Sequence, residues 1–326
     1  MYDVVTLGET MIRLTPPGAL RLEQVQALEL YAGGSESNTS VGLARLGLRV
    51  CWLSRLTESP LGRWLGNTIR AQGVDTSRVV WTPDDRVGLY FLEEGQSPRD
   101  SRVIYDRRDS AMSRMQPDDL PADLFQAGMA RMLHISGITL AISESAYTTA
   151  QRARELAQAA GWQISFDMNY RGKLWSPEQA REGCEPFMQT ADVIFLPLRD
   201  ALRVHEYNGD MSASDVIADL GSRYPQATIV MTLGEAGSLV RSKEGHVHHQ
   251  GAYPATAVCR LGRGDAFTAG FLYRWLTEPH DLPLALRYGA AMAALKFSMT
   301  GDMPLVEPGE VQALVERGAA AGGIAR

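Results

Sequence analysis

Gly262, Gly264 and Asp265 hold the most chemically suggestive spacing in this chain, inside Leu261-Gly262-Arg263-Gly264-Asp265-Ala266-Phe267-Thr268-Ala269-Gly270. Two glycines free the backbone to curl until its N–H groups converge. An amphipathic stretch begins at once, with Phe267, Phe271, Leu272 and Trp275 on one stripe, so the turn sits on a helix N-terminus. Unpaired amides and the positive end of the helix dipole there favour phosphate. A carboxylate is electrostatically comfortable in that first turn, yet Asp265 faces the place a phosphate would occupy. The arrangement suits a base that takes a proton from a hydroxyl while the amides stabilise a transferring phosphoryl group. Taken alone, the tetrapeptide also reads as an ordinary turn with Asp265 capping the helix.

Three further segments offer polar groups. Ala32-Gly33-Gly34-Ser35-Glu36-Ser37-Asn38 precedes a helical pattern over Thr39–Leu46. Its glycines allow close approach of a polyhydroxy ligand, and Asn38 both donates and accepts; a helix cap by Ser37 or Asn38 is the other reading. Asp167-Met168-Asn169-Tyr170-Arg171-Gly172-Lys173-Leu174-Trp175 follows an apolar run, at the edge where open α/β sheets bind ligands. Arg171 there offers a planar fork for a carboxylate or phosphate, or a structural ion pair, and Lys173 a solvated or phosphate-steering charge. Thr232-Leu233-Gly234-Glu235-Ala236-Gly237-Ser238 lets a nucleotide approach Thr232, Gly234 and Gly237, or is a plain hairpin turn. His246 and His248 share a strand face without a nearby third ligand and read as solvated. Neither G-x-x-x-x-G-K-[ST] nor H-E-x-x-H occurs.

The elements that must position these groups follow from the hydrophobic pattern. Val4–Leu7, Arg49–Leu53, Met132–Ile135, Gln163–Phe166, Val193–Leu196 and Thr228–Thr232 are short apolar runs typical of buried parallel strands. Helical patterns over Leu61–Gln72, Ala146–Ala160, Ala213–Tyr224 and Leu282–Phe297 lie between or after them. The alternation predicts an α/β fold, a doubly wound, mostly parallel sheet flanked by helices. Residues of about 10–32 and 86–110 alternate polar and apolar instead, and predict antiparallel strands with a hairpin at Glu94-Gly95-Gln96-Ser97-Pro98. Together they would form a small discontinuous β lid on a single domain spanning 1–326. The Ala- and Gly-rich tail Arg317–Arg326 is expected to fray.

With 45% hydrophobic and 21% charged residues, composition is that of a globular protein able to bury a large core. A net charge of −6 argues against a nucleic-acid partner. Met1-Tyr2-Asp3 runs directly into an apolar strand, and no stretch is long enough to span a membrane, so a cytoplasmic location is expected. Cys51, Cys184 and Cys259, odd in number and scattered, fit a reducing compartment.

In this order and at this spacing, the segments resemble the PfkB (ribokinase-like) family of sugar kinases over nearly the whole chain. Gly33 to Gly47 is similar to the family's N-terminal signature and Gly262 to Phe267 to its C-terminal one. Asp167–Trp175 and Ala294–Pro304 are most similar to 2-keto-3-deoxygluconate kinases. The resemblance implies phosphoryl transfer from ATP with Mg²⁺ to a hydroxyl of a sugar acid. Asp265 would be the base, with Gly262, Arg263 and Gly264 supplying amides. Gly34, Asn38, Tyr90, Tyr105, Arg107 and Arg171 would grip the sugar, with Arg107 or Arg171 on its carboxylate and Asp302 nearby. Lid strands of this kind imply a homodimer.

Departures from the family pattern are specific. Cys259-Arg260 stands where the family has Asp-Thr, and Arg263 where it has a small residue whose place a γ-phosphate could need. Its Asn-x-x-Glu metal motif should fall near Pro197-Leu198-Arg199-Asp200-Ala201, leaving Asp200 or Glu206 as substitutes and the metal ligands unknown. The alternatives are therefore a kinase for fructose or 5-dehydro-2-deoxygluconate, or a catalytically impaired sugar-binding homologue.

Overall fold

The computed structural model describes residues 1–95 and 97–318; Gln96 of the expected hairpin turn and residues 319–326 of the expected frayed tail lie outside them. In chain order the strands are β1 (Tyr2–Leu7), β2 (Met11–Thr15), β3 (Glu29–Gly33), β4 (Val50–Leu53), β5 (Arg55–Thr57), β6 (Val80–Thr82), β7 (Leu89–Glu93), β8 (Arg102–Asp106), β9 (Ala130–Ser136), β10 (Gln163–Asp167), β11 (Val193–Pro197), β12 (Thr228–Thr232), β13 (Ser238–Arg241) and β14 (Val247–Gln250).

Eight of them form one sheet in the order β14-β13-β12-β11-β10-β9-β1-β4. It is parallel from β12 to β4, with β13 and β14 added antiparallel at one edge. The apolar runs are continuous because helices cover both faces. On β1, Val5 and Leu7 enter one core layer and Val4 the other; on β12, Ile229 and Met231 part from Val230 in the same way. The α/β fold expected from the alternation is the fold observed.

A second sheet, β3-β2-β7-β8, is built from the two segments that break the strand–helix rhythm. Its two hairpins are antiparallel as expected, but they join through a parallel β2–β7 pairing, Arg13 opposite Tyr90. Polar–apolar alternation reports which face a residue takes and carries no information on strand direction. Arg13, Tyr31, Tyr90 and Tyr105 share one face, while Leu14, Leu30, Phe91 and Ile104 share the other.

The first long helix spans Ser35–Arg45, four residues earlier than Thr39. Gly34, just past β3, is extended and serves as N-cap, so Ser35 to Asn38 form the first turn. Since β1, β9, β10, β11 and β12 run parallel, Glu9, Ser136, Asp167, Pro197 and Thr232 fall at or just past the carboxyl edge of one sheet. Among the described residues no helix is long and apolar enough to cross a membrane.

Candidate active site

The turn that suggested phosphate chemistry begins the helix Arg263–Thr277. Gly262 caps it in the left-handed conformation, φ 74°, and a side chain there would collide with the carbonyl oxygen of Asp302. Glycine is required twice over, by conformation and by space. The amides of residues 263–265 point out of the helix start, as first-turn donors must.

Asp265 is buried, yet it lines two adjoining spaces: a cleft of about 1010 Å³ and a recess of about 90 Å³. Ser35 Oγ donates to Oδ1 at 2.8 Å and Asn38 Nδ2 to Oδ2 at 2.7 Å. Asn169 Nδ2 in turn donates to Ser35 Oγ at 2.8 Å, which directs the hydroxyl proton toward Asp265. No cation pairs with the carboxylate among the described residues. Burial raises its pKa above the ordinary carboxylate range, opposed by those two hydrogen bonds and by the positive charge of Arg171.

Asn38 therefore has a different immediate partner from the sugar hydroxyls expected. Its amide N–H is engaged by Asp265, while its buried Oδ1 has no partner among the described residues. The close-approach reading of Gly34 also changes: the space a side chain would take there is filled by the Glu9 backbone carbonyl, so glycine serves chain packing. Gly34 still lines the recess, together with Tyr90, Tyr105, Arg107, Arg171 and Asp302.

Asp302 accepts from Arg13 Nη1 at 2.7 Å and from the Tyr90 hydroxyl. Arg107 donates through Nε and Nη2 to Glu9, which also accepts from Ser110. Lys173 is exposed, in line with a solvated charge; its Nζ donates to Val103 O on β8 and lies 5.7 Å from the Tyr105 ring. Arg171 is exposed at the boundary between recess and cleft, and among the described residues nothing accepts from its guanidinium.

Thr232, Gly234 and Gly237 line the larger cleft, as do Ala290, Ala293, Ala294 and Phe297. The segment is thus both a β12–β13 hairpin and a cleft wall. Arg263 donates to Gly234 O at 3.0 Å, with its guanidinium 5.2 Å from the Phe297 ring. Its bulk is drawn toward the Gly234 loop, and its backbone N–H stays in the turn.

Leu198 lines the cleft and Ala201 is fully buried, so neither supplies a metal donor. Asp200 is buried, lines the cleft and accepts from Arg199 Nε at 3.1 Å, whereas Glu206 is exposed and paired with Arg181 at 3.0 Å. Asp200 is thus the acidic group of that segment left in the cleft. Asp167 lines it too, its pKa pushed up to about 8 by burial and by the neighbouring Asp265 and Asp200. No group of three or more His, Cys, Asp or Glu side chains suited to a metal occurs among the described residues, and His249 instead contacts Ala236 O at 3.1 Å.

The family model described as pfkB family carbohydrate kinase matches residues 1–308. The chain belongs to this family. It is 42% identical to the 2-dehydro-3-deoxygalactonokinase of Haloferax volcanii over 97% of both chains. It is 30% identical to the 5-dehydro-2-deoxygluconokinase of Shouchella clausii, over 97% of this chain and 96% of that one. The crystal structure of 2-dehydro-3-deoxygluconokinase from Thermotoga maritima superposes with TM-score 0.90 at 30% identity, covering 97% of this chain and 98% of that one. As a pfkB carbohydrate kinase, the chain is an enzyme that phosphorylates sugars, with the ribokinase-like fold.

Sequence reading missed Ser35, Asn169, Glu9 and Arg13. Each has a polar side chain whose partner lies 98 to 289 residues away. Glu36 was also missed: fully buried, it accepts from Ser136 and Thr139 and ties the helix Ser35–Arg45 to the end of β9. The carboxylate at the first helical turn, Glu36 in Gly-Gly-Ser-Glu, was the available signal.

Proposed function

We propose that this kinase transfers the γ-phosphoryl group of ATP to a hydroxyl of a 2-keto-3-deoxy sugar acid, 2-keto-3-deoxygluconate foremost. The observation that carries the reading is Asp265, held by Ser35 and Asn38 where the small recess meets the large cleft. The sugar occupies the recess among Gly34, Asn38, Tyr90, Tyr105, Arg107 and Asp302, and ATP lies along Thr232, Gly234 and Gly237. Asp265 takes the hydroxyl proton; the sugar oxygen bonds to the γ-phosphorus as the bond to the β–γ bridging oxygen breaks, and ADP leaves. The amides of Gly262, Arg263 and Gly264 receive the developing charge.

Mg²⁺ suits the cleft: two buried carboxylates, Asp167 and Asp200, face it with raised pKa values, a pair that a cation would keep ionised. When bound, the ion would neutralise phosphate charge, held by those two residues and by the phosphates themselves.

Residues of about 10–32 and 86–110 act as a lid on a single kinase domain, excluding water once sugar is bound. On its outer face Leu30 and Ile104 are 47% and 40% exposed beside Leu14 and Phe91. That apolar stripe is the basis for a homodimer through paired lids. Ile104→Lys is expected to convert a dimer to a monomer in gel filtration with light scattering; a wild-type monomer would remove the idea.

The Haloferax relative favours a second reading, the C4 epimer 2-keto-3-deoxygalactonate. A coupled ADP assay with both epimers, 5-dehydro-2-deoxygluconate and fructose tests both. The 2-keto-3-deoxy acids are expected to give the highest kcat/KM. Fructose or 5-dehydro-2-deoxygluconate outpacing both would sink the 2-keto-3-deoxy assignment proposed here.

A further inference from the structure

Behind the anion turn a buried lysine outside the chemistry described so far joins the Arg13–Asp302 pair. Lys296 is 0% exposed, Arg13 1% and Asp302 5%. Lys296 Nζ donates to Met299 O at 3.2 Å and makes no ion pair among the described residues. Met299 opens the short loop to Asp302, whose carbonyl fills the space beside Gly262. One hydrogen bond thus fixes the loop on which the left-handed cap of the anion turn rests.

An ammonium taken out of water costs several kcal/mol unless its surroundings compensate. Burial holds the Lys296 ammonium below the ordinary lysine range and Arg13 adds to this, while Cys259, Asp302 and Asp265 favour its charged form. With both carboxylates ionised, Lys296 and Arg13 balance Asp302 and Asp265. Once Asp265 has taken the sugar proton, the cluster is left with one positive charge beside the turn. That is the moment at which the transferring phosphoryl group and the leaving phosphate need positive potential.

We infer that Lys296 is a positioning residue of phosphoryl transfer, a built-in cation that braces the Met299–Asp302 loop under Gly262 and offsets transition-state charge. The inference rests on Asp265 as the base, and it assigns the tuning of the anion turn to a side chain that touches no substrate.

Lys296→Met keeps the volume and removes the charge; Lys296→Ala removes both. The assay uses whichever sugar of the panel the wild type phosphorylates fastest, so a wrong substrate assignment and a wrong role for Lys296 fail separately. Lys296→Met is expected to lower kcat by about 10²-fold, the scale of losing one preorganised electrostatic donor, with sugar binding by calorimetry unchanged. Ammonium or methylammonium ions are expected to restore part of the kcat of Lys296→Ala, and tetramethylammonium, too large for the vacated space, none. Packing alone would show no such selectivity. Wild-type kcat in Lys296→Met, indifference of Lys296→Ala to ammonium, or failure of both variants to fold in thermal melts would each overturn the inference.

Discussion

Asp265→Asn is expected to lower kcat by about 10²–10⁴-fold, the usual contribution of a positioned general base, while sugar binding by calorimetry persists. The substitution is conservative here for a structural reason. Asn38 Nδ2 and Ser35 Oγ both donate to the carboxylate, and a new NH₂ at position 265 would face one donor too many. Asn38 can relieve this by rotating its amide, because its Oδ1 has no other partner and would accept from that NH₂. The site then keeps its shape and loses only the ability to take a proton. Burial also fixes the sign of the pH dependence. The base works deprotonated, and its pKa is raised, so kcat/KM falls as pH drops through a value above the ordinary carboxylate range. A full pH profile of the wild type, set beside the Asp265→Asn rate, checks both statements. Wild-type turnover in Asp265→Asn would remove Asp265 from the chemistry.

How much of this site could be read in advance depends on which interactions are local. The strand Thr228–Thr232 and the helix Leu282–Phe297 have the bounds expected from apolar pattern, because burial on both faces or on a wide stripe writes itself into neighbouring residues. The glycine turn was legible for the same reason: left-handed cap, donors and carboxylate lie within four residues. The start of the helix at Ser35 was not, since Ser-Glu-Ser-Asn is a weak helix-forming run and the extended Gly34 decides the boundary.

Partner choice was hidden throughout. Asn38 and Asp265 were each singled out, yet the 2.7 Å bond that makes one the orienting group of the other spans 227 residues. Arg13 illustrates a different limit. It alternates correctly with Ile12 and Leu14 on β2, so pattern marks it as solvent-facing, whereas that face packs against Asp302 and Tyr31. Lys296, the penultimate residue of a largely apolar helix, gives the same false cue. A charged residue inside a helix or strand is assigned to solvent by default, and only the tertiary fold shows the partner that brings it in. The choice of Asp200 over Glu206 likewise needed coordinates, because both are acidic residues on one short segment and only one faces the cleft.

Arg171→Ala is expected to weaken a sugar acid far more than a neutral ketose. Two arginines are candidates for the substrate carboxylate, and they differ in what already occupies them. Arg107 is bound by Glu9 through two of its nitrogens, so its charge is largely compensated. Nothing accepts from Arg171 among the described residues, and it stands where recess and cleft meet. If it becomes the buried partner of a carboxylate when the lid closes, truncation should cost about 2–5 kcal/mol of binding, roughly 30- to 5000-fold in Kd. Fructose, with no carboxylate, should lose much less. Arg171→Lys should fall between, since it keeps the charge and lacks the bidentate fork. A second signature accompanies the first: Arg171 holds down the pKa values of Asp265 and Asp167, so its removal should move the acid limb of kcat/KM to higher pH. Calorimetric titration of the variant with both ligands, and its pH profile, read these effects independently. Equal losses for acid and ketose would assign Arg171 to the transferring phosphate, and no loss for either would return it to the surface.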